Sequence, residues 1–123
     1  MIKKLDVMVI LVKDTLKTAE FYKKLGFTIT EETKDRVATQ VGDFYIDFHN
    51  ENSVEVNVES GKEPKGLGIY IYVNVENVDE YYQSLLDKGL TPSSKPKNWS
   101  WGNREFAIKD PDGYKLVFYQ SIN

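Results

Sequence analysis

The chain contains no cysteine and one histidine, His49. Without cysteine there is no disulfide, no thiol nucleophile and no thiolate metal site, and with one imidazole every histidine-based acid–base or metal scheme must pass through His49. Long hydrophobic runs are also missing. Lys3 and Lys4 precede an apolar stretch, but Asp6 interrupts it and Lys13 and Asp14 end it, far short of a signal core or a membrane span. No membrane partner is expected, and a cytoplasmic location is the default. Nor is there an excess of one charge: 16 Lys and Arg face 19 Asp and Glu, scattered, for a net charge of −3. That balance argues against a nucleic-acid footprint and, weakly, favours a cationic small ligand. A phosphate loop is absent as well, because Gly61 to Gly68 has Lys and Gly but neither the spacing nor a following helix.

What remains is 123 residues, 41% apolar and 28% charged, enough to bury a core in roughly one domain. Val7 to Val12 is continuously apolar and reads as a strand buried on both sides. Asp14 or Thr15 caps a helix whose apolar face is Leu16, Ala19, Tyr22 and Leu25, ended by Gly26. Phe27 to Glu32, Arg36 to Val41 and Phe44 to Phe48 read as three more strands, with Gly42-Asp43 as a turn. This half is βαβββ. Val54 to Val58 alternates like an exposed strand or linker, and Gly61 to Gly68 is a connection.

Sliding the chain by 63 positions superposes a second unit on the first. Val12 falls on Val75, Asp14 on Asn77, Tyr22 on Leu85, Gly26 on Gly89 and Phe27 on Leu90. Asn77-x-x-Glu80 is a capping-box-like start for a helix from Val78 to Lys88. Ahead of it, Ile69, Ile71, Val73 and Val75 alternate with Tyr70, Tyr72 and Asn74. The aliphatic set should therefore pack under the helix, with the tyrosines on the other side of the sheet. Arg104 to Ile108 and Lys115 to Tyr119 are strands joined by the tight turn Asp110-Pro111-Asp112-Gly113.

Trp101-Gly102-x-Arg104-Glu105-Phe106 followed by Asp110-Pro111-Asp112-Gly113, with Phe21-Tyr22-Lys23-Lys24-Leu25-Gly26-Phe27 near the start, resembles the glyoxalase/bleomycin-resistance/extradiol-dioxygenase superfamily. This is the vicinal oxygen chelate fold, and the resemblance is to its bleomycin-resistance branch. It implies an α+β protein of two tandem βαβββ modules forming a cupped mixed sheet around a ligand. One domain over 1–123 is expected, made of module 1–60 and module 67–123 with linker 61–66, pairing as a homodimer.

Metal-dependent relatives carry His, Gln or Glu at four matching strand positions. Here the resemblance puts Val7, Tyr70 and Val117 at three of them, and Ile46 or Asp47 at the fourth. Valine has no lone pair and neutral tyrosine is a poor ligand, so the chain is expected to use no metal or other cofactor and to have no catalytic residue. The alternative is a metal-dependent glyoxalase-like lyase or extradiol dioxygenase. His49 with Asp47 and Glu51 has spacing compatible with ligation, but the cluster is read as structural.

The distinctive chemistry is aromatic: two Trp, eight Tyr and six Phe, with both tryptophans together at Trp99 and Trp101. In bleomycin-resistance proteins the implied mechanism is sequestration, planar rings stacking on aromatic side chains while acids receive a cationic tail. The residues expected to bind such a ligand are Trp99, Trp101, Tyr70, Tyr72 and Phe48, with Asp47 as the acidic contact and Tyr119 as a wall. Arg104 and Glu105 are expected to be structural, Arg104 tying the loop to Asp110 or Asp112. A rival reading has the aromatic surface serve only the protein's own dimerisation.

Overall fold

Asp14 decides where the first helix begins. In the computed structural model, which describes residues 1–53 and 65–123, the Asp14 carboxylate accepts the backbone N–H of Leu16 at 2.9 Å and of Lys17 at 3.2 Å. These are donors that the first helical turn leaves unpaired. The helix α1 (Thr15–Leu25) follows β1 (Met8–Val12) and leads to β2 (Thr28–Glu32), β3 (Arg36–Val41) and β4 (Phe44–Asn50). Strand order is β1-β4-β3-β2, with β1 parallel to β4 and the other pairs antiparallel. One face of this sheet lies under α1, where Val12, Tyr22, Val37 and Phe48 are wholly buried.

Two details differ from the sequence reading. Leu16 points outward, 65% exposed, and the inner face of α1 is Thr15, Thr18, Ala19, Phe21, Tyr22 and Leu25. The reason is local: the Thr15 hydroxyl donates to the carbonyls of Thr33 and Lys34, at 3.0 and 2.9 Å, which turns that edge of the helix inward. Strand β1 begins at Met8 and is buried on one face, since Ile10 and Val12 are covered while Val9 is 54% exposed.

The second unit is β5 (Tyr70–Asn74), α2 (Val78–Asp87), β6 (Lys97–Asn98), β7 (Asn103–Lys109) and β8 (Lys115–Ser121). Its strand order, β5-β8-β7-β6 with β5 parallel to β8, repeats the first. The chain is thus α+β, two βαβββ modules in tandem, and compact units of 1–64 and 65–123 contain them.

The 63-residue repeat is visible in single hydrogen bonds. Asn77 caps α2 by accepting Glu80 N–H at 3.1 Å, as Asp14 caps α1. At the far ends, Phe27 N–H reaches the Tyr22 carbonyl and Leu90 N–H the Leu85 carbonyl, both at 3.0 Å. Both turns need a left-handed residue, and Gly26 (φ 98°) and Gly89 (φ 81°) supply it. Leu85 of α2 is buried with Phe106, Ile108, Leu116 and Phe118 of the sheet, and the Tyr81 ring is 4.7 Å from that of Phe118. Burial in that core pushes the Tyr81 phenol up from its ordinary pKa.

The Asp110–Gly113 turn is built as its residues suggest. Gly113 N–H donates to the Asp110 carbonyl at 3.0 Å, and the Asp110 carboxylate accepts from Asp112 and Tyr114 N–H, both at 2.9 Å. The expected segment Val54 to Val58 lies outside the described residues, as does the first half of the Gly61 to Gly68 connection. Among the described residues no helix is long and apolar enough to cross a membrane.

Candidate functional site

Period two governs the sheet of the second unit. Leu116 and Phe118 point into the core under α2, which sends Lys115, Val117 and Tyr119 to the opposite face. Register then sets Tyr70 beside Lys115, Tyr72 beside Val117, Glu105 beside Tyr119 and Ala107 beside Val117. On β5, Tyr70 is 63% and Tyr72 49% exposed, while Ile71 and Val73 are partly covered, the expected alternation within the strand, although Ile69 ahead of it is exposed.

A hairpin closes over this face. Trp99 N–H donates to the Asn103 carbonyl at 2.8 Å and Gly102 N–H to the Trp99 carbonyl at 3.2 Å, so the loop between β6 and β7 is a tight turn carrying both indoles. Gly102, at φ 91°, permits it. The two rings stack with centroids 4.8 Å apart and planes 12° apart. Trp101 remains 57% exposed. Lys97 Nζ stands 4.2 Å from the Trp99 ring centroid, and Lys115 Nζ 4.4 Å from that of Tyr70.

Between the hairpin and the sheet lies a cavity of about 200 Å³ lined by Tyr70, Tyr72, Trp99, Trp101, Glu105 and Val117, among others. Glu105 is the polar centre of its wall. Its carboxylate accepts the Trp101 indole N–H at 3.2 Å, the Asn103 amide at 3.1 Å and the Tyr72 hydroxyl at 3.4 Å. Burial, and then the neighbouring Glu105 charge, raise the Tyr72 phenol above its ordinary pKa, so it remains a donor at neutral pH.

Of the residues expected to bind a ligand, Tyr70, Tyr72, Trp99 and Trp101 thus meet at one cavity. Tyr119 is their neighbour, its ring 5.8 Å from that of Tyr72. The other two belong to the first unit and do different work. Phe48 is fully buried against Tyr22, ring centroids 4.5 Å apart, on the helix side of its sheet, so it offers no surface to a ligand. Asp47 faces the other way but is held by Arg36, whose Nε and Nη2 reach one carboxylate oxygen at 3.0 and 2.9 Å. That hydrogen bond, against some desolvation, raises the Arg36 pKa. Asp47 is therefore ion-paired, with a guanidinium that Glu31 shares at 2.6 Å. Arg104 also departs from expectation: it forks onto Asp79 of α2 at 2.8 and 3.0 Å and reaches Asn98 at 3.0 Å, leaving Asp110 to its own turn.

Glu105, expected from the sequence to be structural, also lines this cavity. A usable signal was present: counting in twos from Phe106 and Ile108, which are core, places Glu105 and Ala107 on the tyrosine face.

The residues at the superfamily's metal positions do not fit a metal. Val7 and Val117 have no donor atom, Tyr70 lies under a lysine ammonium, Ile46 is buried, and Asp47 is taken by Arg36. Among the described residues no group of three or more His, Cys, Asp or Glu could hold an ion, and this includes Asp47, His49 and Glu51. No metal-dependent step is derived for this chain.

Comparison with known proteins agrees with this architecture. The family model described as "Glyoxalase/Bleomycin resistance protein/Dioxygenase superfamily" matches residues 4–118. The bleomycin resistance protein of Geobacillus stearothermophilus is 28% identical over 121 residues, covering 90% of this chain and 92% of that protein. That of Klebsiella pneumoniae is 25% identical, covering 89% and 86%. Among solved structures, hypothetical protein SA1046 from S. aureus superposes with a TM-score of 0.81 at 23% identity, over 97% of this chain and 94% of that one. A bleomycin-binding protein complexed with bleomycin superposes with a TM-score of 0.68, also at 23% identity, over 97% and 99%. With the model matching almost end to end and both βαβββ modules in place, the chain belongs to the Glyoxalase/Bleomycin resistance protein/Dioxygenase superfamily.

Proposed function

We propose that this protein is a metal-independent small-molecule binding protein of the bleomycin-resistance type, which sequesters a planar aromatic or hydrophobic ligand. The observation that carries the reading is the stacked Trp99–Trp101 pair above the exposed Tyr70 and Tyr72, four aromatic side chains around one cavity. Each ring that a planar ligand stacks on contributes about 0.5–1.5 kcal/mol beyond area burial. Several such contacts with apolar burial give useful affinity without any chemistry. Relatives named as bleomycin resistance proteins make bleomycin the first ligand to try.

Other features are consistent with a passive binder. Two of the superfamily's metal-ligand positions are valines without a donor atom, and no cofactor is invoked. A homodimer acting in the cytoplasm is part of the proposal, with the exposed apolar residues Val9, Phe44 and Tyr45 as surface available to a second copy.

Equilibrium dialysis of metal-stripped protein against bleomycin, followed by mass analysis of the recovered drug, tests the reading. Retention of unmodified drug, about one molecule per site, is expected. Drug that passes freely, or is recovered chemically altered, contradicts it.

A further inference from the structure

Glu105 lines the aromatic cavity yet is only 6% exposed, and every partner of its carboxylate is uncharged. Oε2 accepts from Trp101 and Asn103, at 3.2 and 3.1 Å, while Oε1 has the single long contact of 3.4 Å from Tyr72. Among the described residues it forms no ion pair. The nearby cations are committed elsewhere. Arg104 is bound to Asp79 and Asn98, Lys97 stands over Trp99 although it pairs with Glu105 in the strand register, and Lys115 stands over Tyr70.

A carboxylate removed from water keeps a strong demand for a charged donor, and three neutral donors meet it only in part. A carboxylate oxygen accepts about two hydrogen bonds, so Oε1 has room for one more. We propose that Glu105 is the specificity-determining residue of the cavity, selecting planar aromatic cations that carry an N–H donor, the donor lying against Oε1 while the ring stacks on the surrounding aromatics. This deepens the binding reading above and rests on it. Positive charge alone does not suffice, because the ammonium groups of Lys97 and Lys115 repel every cation and only one with a hydrogen to give Glu105 gains the charge-assisted bond that offsets this.

Three probes of nearly one shape separate these properties: 4-aminoquinoline, a cation with N–H donors at neutral pH; N-methylquinolinium, a cation without one; and quinoline, neutral. Calorimetric titration of the unaltered protein should find 4-aminoquinoline bound roughly tenfold or more tighter than either of the others, the size expected for a charge-assisted hydrogen bond. In Glu105→Gln, with an unchanged circular dichroism spectrum, that preference should shrink to within about threefold, mostly by loss of 4-aminoquinoline affinity. Equal binding of the three probes by the unaltered protein overturns the proposal, and that comparison stands even where the variant does not fold. So does a variant that weakens all three alike, the mark of a residue that only positions Trp101, or one that alters none. Bleomycin is titrated alongside: if it binds while no quinoline does, the assignment to Glu105 falls and the binding reading survives. If nothing binds, both fall.

Discussion

The indole N–H of Trp101 is bonded to the carboxylate of Glu105 at 3.2 Å, four residues along the chain, while the same ring stacks on Trp99. The bond fixes the plane of a ring that would otherwise swing free at the tip of a hairpin. Trp101→Phe keeps an aromatic ring but deletes the donor and reduces the stacking area. Loss of about 1 kcal/mol of stacking corresponds to roughly fivefold weaker binding of a planar ligand. Stability should fall by about 1–3 kcal/mol, because the nearly buried Glu105 carboxylate loses a donor. Ligand titration and urea unfolding of the variant measure the two effects separately.

Phe48 should behave in the opposite way. Its ring is wholly buried against Tyr22, so Phe48→Ala leaves a cavity and should cost about 3–5 kcal/mol, a large fraction of a domain's stability. Ligand affinity of the protein that remains folded should stay the same. A variant with unaltered urea midpoint and lost binding would return Phe48 to the ligand site.

The two helix caps offer a test of the internal repeat. Asp14→Ala and Asn77→Ala remove equivalent side-chain acceptors from α1 and α2, and each should destabilise its helix by about 1 kcal/mol. Chemical denaturation of the single variants, and of the double variant with summed effects, checks this.

Arg104 and Asp79 make the protein's acid response partly predictable. The Arg104 hydrogen bond holds the Asp79 carboxyl below its ordinary pKa, with desolvation opposing. A carboxyl lowered on folding adds stability that is complete above its unfolded pKa and is lost as pH falls through the folded one. Arg104→Met should therefore be slightly less stable than the unaltered protein at neutral pH, and the two should converge in acid. The neutral-pH difference should shrink in salt, because the pair is exposed. Urea midpoints measured across the acid range follow both trends.

Much of this architecture could be read from the residues because local signals agreed with one another. Asp14 and Asn77 as caps, Gly26 and Gly89 as helix ends and the Asp110–Gly113 turn all depend on conformations that short sequences dictate. The alternation of Tyr70 and Tyr72 with aliphatic neighbours likewise identified the outward face of β5. Side-chain partners depended on tertiary placement, which the sequence does not spell out. Arg104 met Asp79 from a helix 25 residues earlier, and Asp47 was claimed by Arg36 across a strand pair. Phe48 differs from Asp47 by one position and so faces the opposite side of the sheet; the register of β4 decided which of the two is core. The two-residue strand β6 is too short to leave a periodic signature.

Binding of a planar ligand in the aromatic cavity can be followed directly by tryptophan fluorescence, because both tryptophans belong to that cavity. Metal-stripped protein titrated with bleomycin should show saturable quenching at micromolar or tighter affinity, near one drug per site, weakened in Trp99→Phe and Trp101→Phe. Folded protein whose fluorescence is unmoved by the drug, or is quenched equally in both variants without saturation, would contradict ligand binding at this cavity.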